Sequence, residues 1–205
     1  MAFLSDTEKQ RIAAAIAAAE RNTRGELVTV ITASSDAYHY IPFLWAALLS
    51  LLVPCIDFLL DNTLTWNIIY LIQICTFLGA AAVFNWTPLK THLIPDAVKR
   101  LRAHRLAQEQ FFMQKLHMTR ERTGVLLFVS VAERYVEIIA DQGINEVVPE
   151  NAWQAIIEVF VQRVHHRQVA DGFLGAITAC GELLSSHFPA QEDDSNELPN
   201  HLIEL

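Results

Sequence analysis

The stretch GVLLFVSVAERYVEIIAD, residues 124–141, contains the pattern that decides the fold. Its first half is a continuous apolar run with β-branched residues, which is typical of a buried strand. In its second half Val136 and Ile138 alternate with Glu137, which predicts a strand that is partly exposed. A turn near Ala132 separates the two halves. We therefore predict a β-hairpin of two antiparallel strands.

Patterns on either side of this hairpin predict a further strand and several helices. Ser5 and Glu8 stand at capping-box spacing at the start of the first helix. Residues 25–33, GELVTVITA, follow as a β-branched strand. Another helix is predicted from Pro95 to about Met118. The apolar positions at helical spacing are Val98, Leu101, Phe112 and Leu116 in that helix, Trp153, Ile156, Phe160 and Val164 in the next, and Phe173, Ile177, Cys180 and Leu184 in the last.

Two long apolar segments lie between the first and second predicted strands. Residues 41–60 contain a single charge, Asp57, and residues 64–86 contain none. About 20 residues suffice for a helix to cross the hydrocarbon core of a bilayer. We predict a transmembrane hairpin over residues 41–86, with spans at 41–60 and 64–86 and a tight connection at Asp61-Asn62-Thr63. The alternative, two buried core helices, is disfavoured because a chain of 205 residues has little other material to cover them.

The order of the elements predicts the topology of the sheet. The first two strands are joined by a crossover that contains a helix, so they should run parallel, and the third should run antiparallel to the second. The predicted fold class is α/β, a small mixed sheet flanked by helices and interrupted by the two-helix transmembrane hairpin. Residues 1–36 and 89–188 would form one discontinuous domain. Residues 189–205 are acidic and polar and are expected to be a loosely ordered tail.

The distribution of basic residues predicts the orientation of the spans. The net charge is −8, yet Lys90, Lys99, Arg100 and Arg102 follow the second span. The positive-inside rule then places both termini in the cytoplasm. The basic segment suits anionic lipid headgroups, so the bilayer is an expected partner and nucleic acid is not.

Several stretches of the chain resemble the TPM domain. They are LSDTEKQRIAAAIAAAERNTRGELVTVI, RTGVLLFVSVAERYVEIIADQGI, ENAWQAII, ADGFLGAITACGELLSSHFP and NELPN. In this order they resemble in particular the bacterial integral-membrane branch of the family, in which two spans interrupt the domain. The resemblance implies a TPM-like α/β fold in a multi-pass protein of the bacterial inner membrane. It also implies a range of activities, since some relatives are acid phosphatases, some bind calcium and others are membrane-associated accessory factors.

Strand directions predict where polar side chains meet. The starts of the first two strands and the end of the third should share one edge of the sheet. Asp141, Asn145, Glu146 and Glu26 would lie there and could offer oxygen ligands to a divalent cation such as calcium. In the alternative interpretation, these groups are structural.

The same edge carries two arginines. Arg122 and Arg24 could bind an anion such as phosphate, or could instead pair with Asp141 and neutralise it. In that structural alternative, Asn145 or Glu150 satisfies free amides at a helix start.

The sequence assigns no catalytic residue. It contains no Walker loop, H-E-x-x-H motif or G-x-S-x-G motif. We therefore expect a non-enzymatic accessory or assembly factor at the inner membrane, with a membrane or cytosolic protein as partner. The alternative is a divalent-metal-dependent phosphatase acting at the Asp141 edge of the sheet.

Overall fold

The computed structural model describes residues 4–60, 64–86, 90, 93–166, 168–191 and 197–205, with the backbone alone for Glu150. The chain divides into two compact units. The sheet unit comprises Met1–Ser35 and Leu101–Leu205, and the helical unit comprises Asp36–Arg100. The predicted connection at Asp61-Asn62-Thr63 lies outside the described residues.

The elements follow one another in an order close to the predicted one. The helices are α1 (Asp6–Glu20), α2 (Tyr40–Leu59), α3 (Trp66–Phe84), α4 (Asp96–Met113), α5 (Gln142–Asn145), α6 (Glu150–His165) and α7 (Val169–His187). The strands are β1 (Glu26–Thr32), β2 (Gly124–Ser130), β3 (Tyr135–Ala140) and β4 (Leu202–Glu204). The sheet order is β3-β2-β1-β4. β1 runs parallel to β2, and β2 runs antiparallel to β3, so both predicted pairings are confirmed.

The strand β4 corrects the expectation of a loosely ordered tail. It pairs parallel with β1, with Leu202 opposite Thr29. Leu202 is buried, and the Nζ atom of Lys9 lies 2.9 Å from a carboxylate oxygen of Glu204. Three residues within an acidic segment are too short for a recognisable strand pattern, and hydrogen bonding to β1 supplies what the local sequence lacks.

The sheet has a helical layer on each face. Alternate residues of β1, such as Leu27 and Ile31, pack with α1, α6 and α7 in the larger core. That core includes Phe160 and Phe173, which are both fully buried. On the other face, Val28 and other alternate strand residues pack with α4.

The helix α4 is shorter than predicted. It ends at Met113, and Lys115 then adopts φ 61°, a left-handed conformation that stops the helix before a 3₁₀ turn at Leu116–Met118. That turn lies directly over Gly124, where an added Cβ would lie 2.5 Å from the carbonyl oxygen of Leu116. The predicted apolar face is also partly wrong. Ala103, Ala107, Gln110 and Phe111 are the buried residues of α4, whereas Leu101 and Phe112 are exposed.

In the helical unit, α2 and α3 pack against each other. Both are long and apolar enough to cross a membrane, and only 28% and 11% of their most apolar stretches are buried. They therefore differ from core helices, which are mostly buried. Asp57 is buried in α2, where its Oδ1 atom accepts a hydrogen bond from the backbone N–H of Leu64 at 3.3 Å. This charged residue thus ties the end of the first apolar segment to the start of the second.

Candidate functional site

The predicted meeting of strand ends occurs in the sheet unit. The backbone N–H of Glu26 donates to the carbonyl of Thr123 at 3.1 Å, and the Thr123 hydroxyl donates to the carbonyl of Arg24 at 2.9 Å. On the next strand, the N–H of Asp141 donates to the carbonyl of Gly124 at 2.9 Å. Strand pairing therefore brings these residues to one edge, as the sequence predicted.

Asp141 is the N-cap of α5. Its Oδ1 atom accepts a hydrogen bond from the backbone N–H of Gln142 at 2.7 Å. The residue is 8% exposed, and its Oδ2 atom is buried with no hydrogen-bond partner among the described residues. The carboxylate thus stabilises the start of a short helix, where side-chain acceptors satisfy free N–H groups.

The alternative in which an arginine pairs with Asp141 is wrong. Arg24 donates through Nη1 to the carboxylate of Glu121 at 2.7 Å and through Nε to the carbonyl of Pro189 at 3.2 Å. Arg122 donates through Nη1 to Oε1 of Gln142 at 3.3 Å. Both arginines therefore have partners other than Asp141.

The other predicted cation ligands also have protein partners. Asn145 donates through Nδ2 to the carbonyl of Ala140 at 2.7 Å, so it satisfies a carbonyl of the strand rather than an amide of a helix. Glu146 accepts through Oε1 from the side-chain amide of Gln142 at 3.0 Å. The side chain of Glu150 is outside the described residues.

Glu26 occupies a separate place on the same edge. It is buried, and its Oε1 atom accepts from the backbone N–H of Glu197 at 2.9 Å. Gly124 lies between Glu26 and Asp141 in the ladder, which separates their Cα atoms by two strand spacings, about 10 Å. Within the described part of the chain, no three His, Cys, Asp or Glu side chains are grouped to hold a metal ion. The cation site and the anion site at Arg122 and Arg24 stay predictions.

The sequence interpretation missed Glu20. Its Oε1 atom accepts from the backbone N–H of Leu27 at 2.9 Å. The pKa of this carboxyl is raised to about 8, chiefly by burial; the Leu27 hydrogen bond lowers the pKa, and the nearby carboxylate of Glu26 raises it. Glu20 ends an alanine-rich helix, a position that is usually solvated. The one feature of the sequence that could have indicated a raised pKa for Glu20 was its closeness along the chain to a second carboxylate, Glu26.

Substitution of Asp141 tests whether this edge is structural or binds a cation. We expect Asp141→Ala to lower the free energy of unfolding by about 1 kcal/mol through loss of the helix cap, equally in calcium and in chelator. Asp141→Asn keeps a capping oxygen and should lower the free energy of unfolding by only a few tenths of a kcal/mol. Thermal melts of the full-length protein in mild detergent measure both. Calcium-dependent stabilisation that Asp141→Asn abolishes would contradict the purely structural role.

Comparison with known proteins supports the resemblance found in the sequence. Residues 92–183 match the family model of the TPM domain. The NMR structure of the BA42 protein from the psychrophilic bacterium Bizionia argentinensis aligns with a TM-score of 0.64 and 21% identity, over 100% of this chain and 97% of that chain. At this identity the similarity shows the fold alone. No curated protein matches the sequence significantly. The resemblance to the TPM domain is thus confirmed over the matched residues 92–183.

Proposed function

We propose that this protein is a non-enzymatic accessory or assembly factor, held at the bacterial inner membrane by α2 and α3. Its sheet unit would recruit a membrane or cytosolic protein. The observation that carries the anchoring is the apolar surface of the two long helices, of whose most apolar stretches only 28% and 11% are buried.

The exposed side chains of α2 and α3 favour a lipid environment. Leu48 and Phe58 of α2 and Tyr70 and Leu78 of α3 are each about half exposed or more. Soluble monomers rarely expose contiguous apolar patches of this kind. The helices are 20 and 19 residues long, which corresponds to about 30 Å at 1.5 Å per residue. This length matches the hydrocarbon core of a bilayer.

The residues at the helix ends support the proposed orientation. Trp66 and Trp86 flank α3, as aromatic residues do at membrane interfaces. Lys99, Arg100 and Arg102 follow the second apolar helix, so both termini would be cytoplasmic. The sheet unit would then meet partners at the cytoplasmic surface.

The polar groups at the Asp141 edge favour a non-catalytic role. Asp141 caps a helix, Arg24 pairs with Glu121, and Asn145 holds the carbonyl of Ala140. Groups with these partners are engaged in maintaining the fold. One observation favours the alternative of a metal-dependent phosphatase, namely the buried Oδ2 atom of Asp141, which has no hydrogen-bond partner among the described residues.

Fractionation of cells tests the proposed anchoring. We expect the full-length protein to stay in the membrane pellet after carbonate extraction, because two apolar helices give integral insertion. A tag after Leu205 that carries a cysteine or a protease site should be protected from added thiol reagent or protease in spheroplasts and accessible to them in inverted vesicles. Release by carbonate would contradict the anchor, and accessibility in spheroplasts would contradict the orientation.

The non-enzymatic role has its own assay. We expect no turnover of p-nitrophenyl phosphate by the full-length protein with calcium, magnesium or manganese. The matched variants are Asp141→Asn and Asp171→Asn, the latter at an exposed position on α7. Turnover that Asp141→Asn abolishes and Asp171→Asn preserves would establish the phosphatase instead.

A further inference from the structure

The strand β3 is an edge of the sheet, and its outward backbone groups can be identified. The N–H of Asp141 donates to Gly124, and Ala140 stands opposite Val125. In an antiparallel ladder, alternate residues bond to the neighbour, so Val136, Ile138 and Ala140 turn their N–H and C=O groups away from β2. Of these groups only the carbonyl of Ala140 has a partner among the described residues, the side chain of Asn145. The edge therefore offers a run of free donors and acceptors.

This edge lies in a groove of the sheet unit with a volume of about 610 Å³. Its floor is β3, and we call it the β3 groove. One wall is His104 and Gln108 of α4, and the other is Trp153, Gln154 and Ile157 of α6. The outer edge of β3 thus lies between two helices.

The groove also has a defined chemistry. The carboxylate of Glu137 accepts from the Tyr135 hydroxyl at 3.0 Å and lies 2.8 Å from Nδ1 of His104. No described residue of the lining is Lys or Arg. Trp153 is 6% exposed, and its Nε1 atom is buried with no hydrogen-bond partner among the described residues. Because Nε1 of Trp153 is buried, the chemistry that the groove presents to an occupant is the negative charge of Glu137, which suits a cation.

We propose that the β3 groove binds an extended, apolar segment of a partner protein that carries one Lys or Arg. The segment adds to the sheet as a further strand on β3, with main-chain hydrogen bonds to Val136 and Ile138. Its cationic side chain pairs with Glu137. This inference rests on the proposed role as an accessory factor and specifies how the partner is recognised.

The test uses the full-length protein in mild detergent and a labelled heptapeptide, Val-Thr-Val-Lys-Val-Thr-Val. Fluorescence polarisation should show binding. N-methylation of alternate residues removes the donors along one edge of the peptide. Methylation of one set of alternate residues should abolish binding, and methylation of the other set should leave binding unchanged, because only one edge of the peptide faces β3. Equal effects of the two methylation patterns, or no binding of the unmethylated peptide at millimolar concentration, would overturn the proposal.

Variants of the groove test its chemistry. Replacing Lys by Glu in the peptide should weaken binding by about tenfold or more. With Glu137→Gln in the protein this preference should disappear, whereas Glu158→Gln, an exposed residue of α6, should retain it. An unchanged Lys preference in Glu137→Gln would refute the charge assignment.

The outcomes for the groove and for the proposed function can be distinguished. Carbonate extraction and phosphatase turnover are measured on the same protein. If the peptide does not bind while the protein resists carbonate extraction and shows no phosphatase turnover, only the proposed binding to the β3 groove is refuted. If the peptide binds and phosphatase turnover depends on Asp141, the non-enzymatic role is refuted and the proposed binding to the β3 groove is supported.

Discussion

Replacing Phe173 by alanine will lower the free energy of unfolding of the sheet unit by about 3–5 kcal/mol. Phe173 is fully buried in the larger core, and its ring meets that of Phe160 edge to face at a centroid distance of 5.2 Å. Truncation removes apolar contact and leaves a cavity between α6, α7 and the sheet. The helices α1 and α6 both pack against α7, so the loss should affect the whole layer.

The chain contains a natural probe for this measurement. Cys180 is buried in the same core, and burial raises the pKa of its thiol to about 12, so it should react only when the sheet unit opens. With the exposed Cys55 and Cys75 replaced by alanine, it is the remaining thiol of the three. A thiol-reactive dye should then report a melting temperature lower by roughly 10 °C.

The matched control is Phe112→Ala. Phe112 is 60% exposed on α4, so the same substitution should change the free energy of unfolding by about 0.5 kcal/mol at most. Similar shifts for the two variants would show that Phe173 is not at the centre of the core.

The stability of the sheet unit will fall as the pH rises from about 5 to about 8, by on the order of 3 kcal/mol from Glu20 alone. Burial raises the pKa of this carboxyl from an ordinary 4.5 to about 8. Between those values the folded state keeps a proton that the unfolded state has released, so raising the pH favours unfolding. Above about pH 8 both states are ionised, and the effect levels off.

The variant Glu20→Gln isolates this contribution. It keeps an oxygen that can accept from Leu27 and has no charge to bury. By calorimetry we expect it to match the unsubstituted protein near pH 5 and to exceed it by on the order of 3 kcal/mol near pH 9. Glu182→Gln, at an exposed position on α7, should follow the unsubstituted protein at every pH. Parallel pH profiles for Glu20→Gln and the unsubstituted protein would contradict the buried proton.

The parts of the fold that were predictable depend on local pattern and chain direction. The apolar run after Gly124 and the alternation around Glu137 were enough to define β2 and β3, and the helical crossover was enough to make β1 parallel to β2. The strand β4 was not predictable, since its three residues become a strand only by pairing with β1. The end of α4 was missed because its apolar spacing continues through Leu116, while the backbone turns at Lys115.

The candidate site was predictable in position and not in its contacts. Strand direction alone places Glu26 and Asp141 at one edge. Which carboxylate pairs with Arg24 depends on side-chain positions in the folded chain, and the partner is Glu121. The burial of Glu20 depends on contacts with Leu27 and with Asn200, a residue far away in the sequence.

The pairing of β1 with β2 constrains the proposed insertion of the chain into a bilayer. The whole helical unit lies between these two strands in the sequence, yet Glu26 stands directly opposite Gly124. Two strands of one sheet must be on the same side of a membrane. A chain that inserted only one of its two apolar helices would leave β1 and β2 on opposite sides of the bilayer, and the sheet could not form. The proposed insertion therefore requires that the chain cross the bilayer an even number of times, because only then can β1 pair with β2.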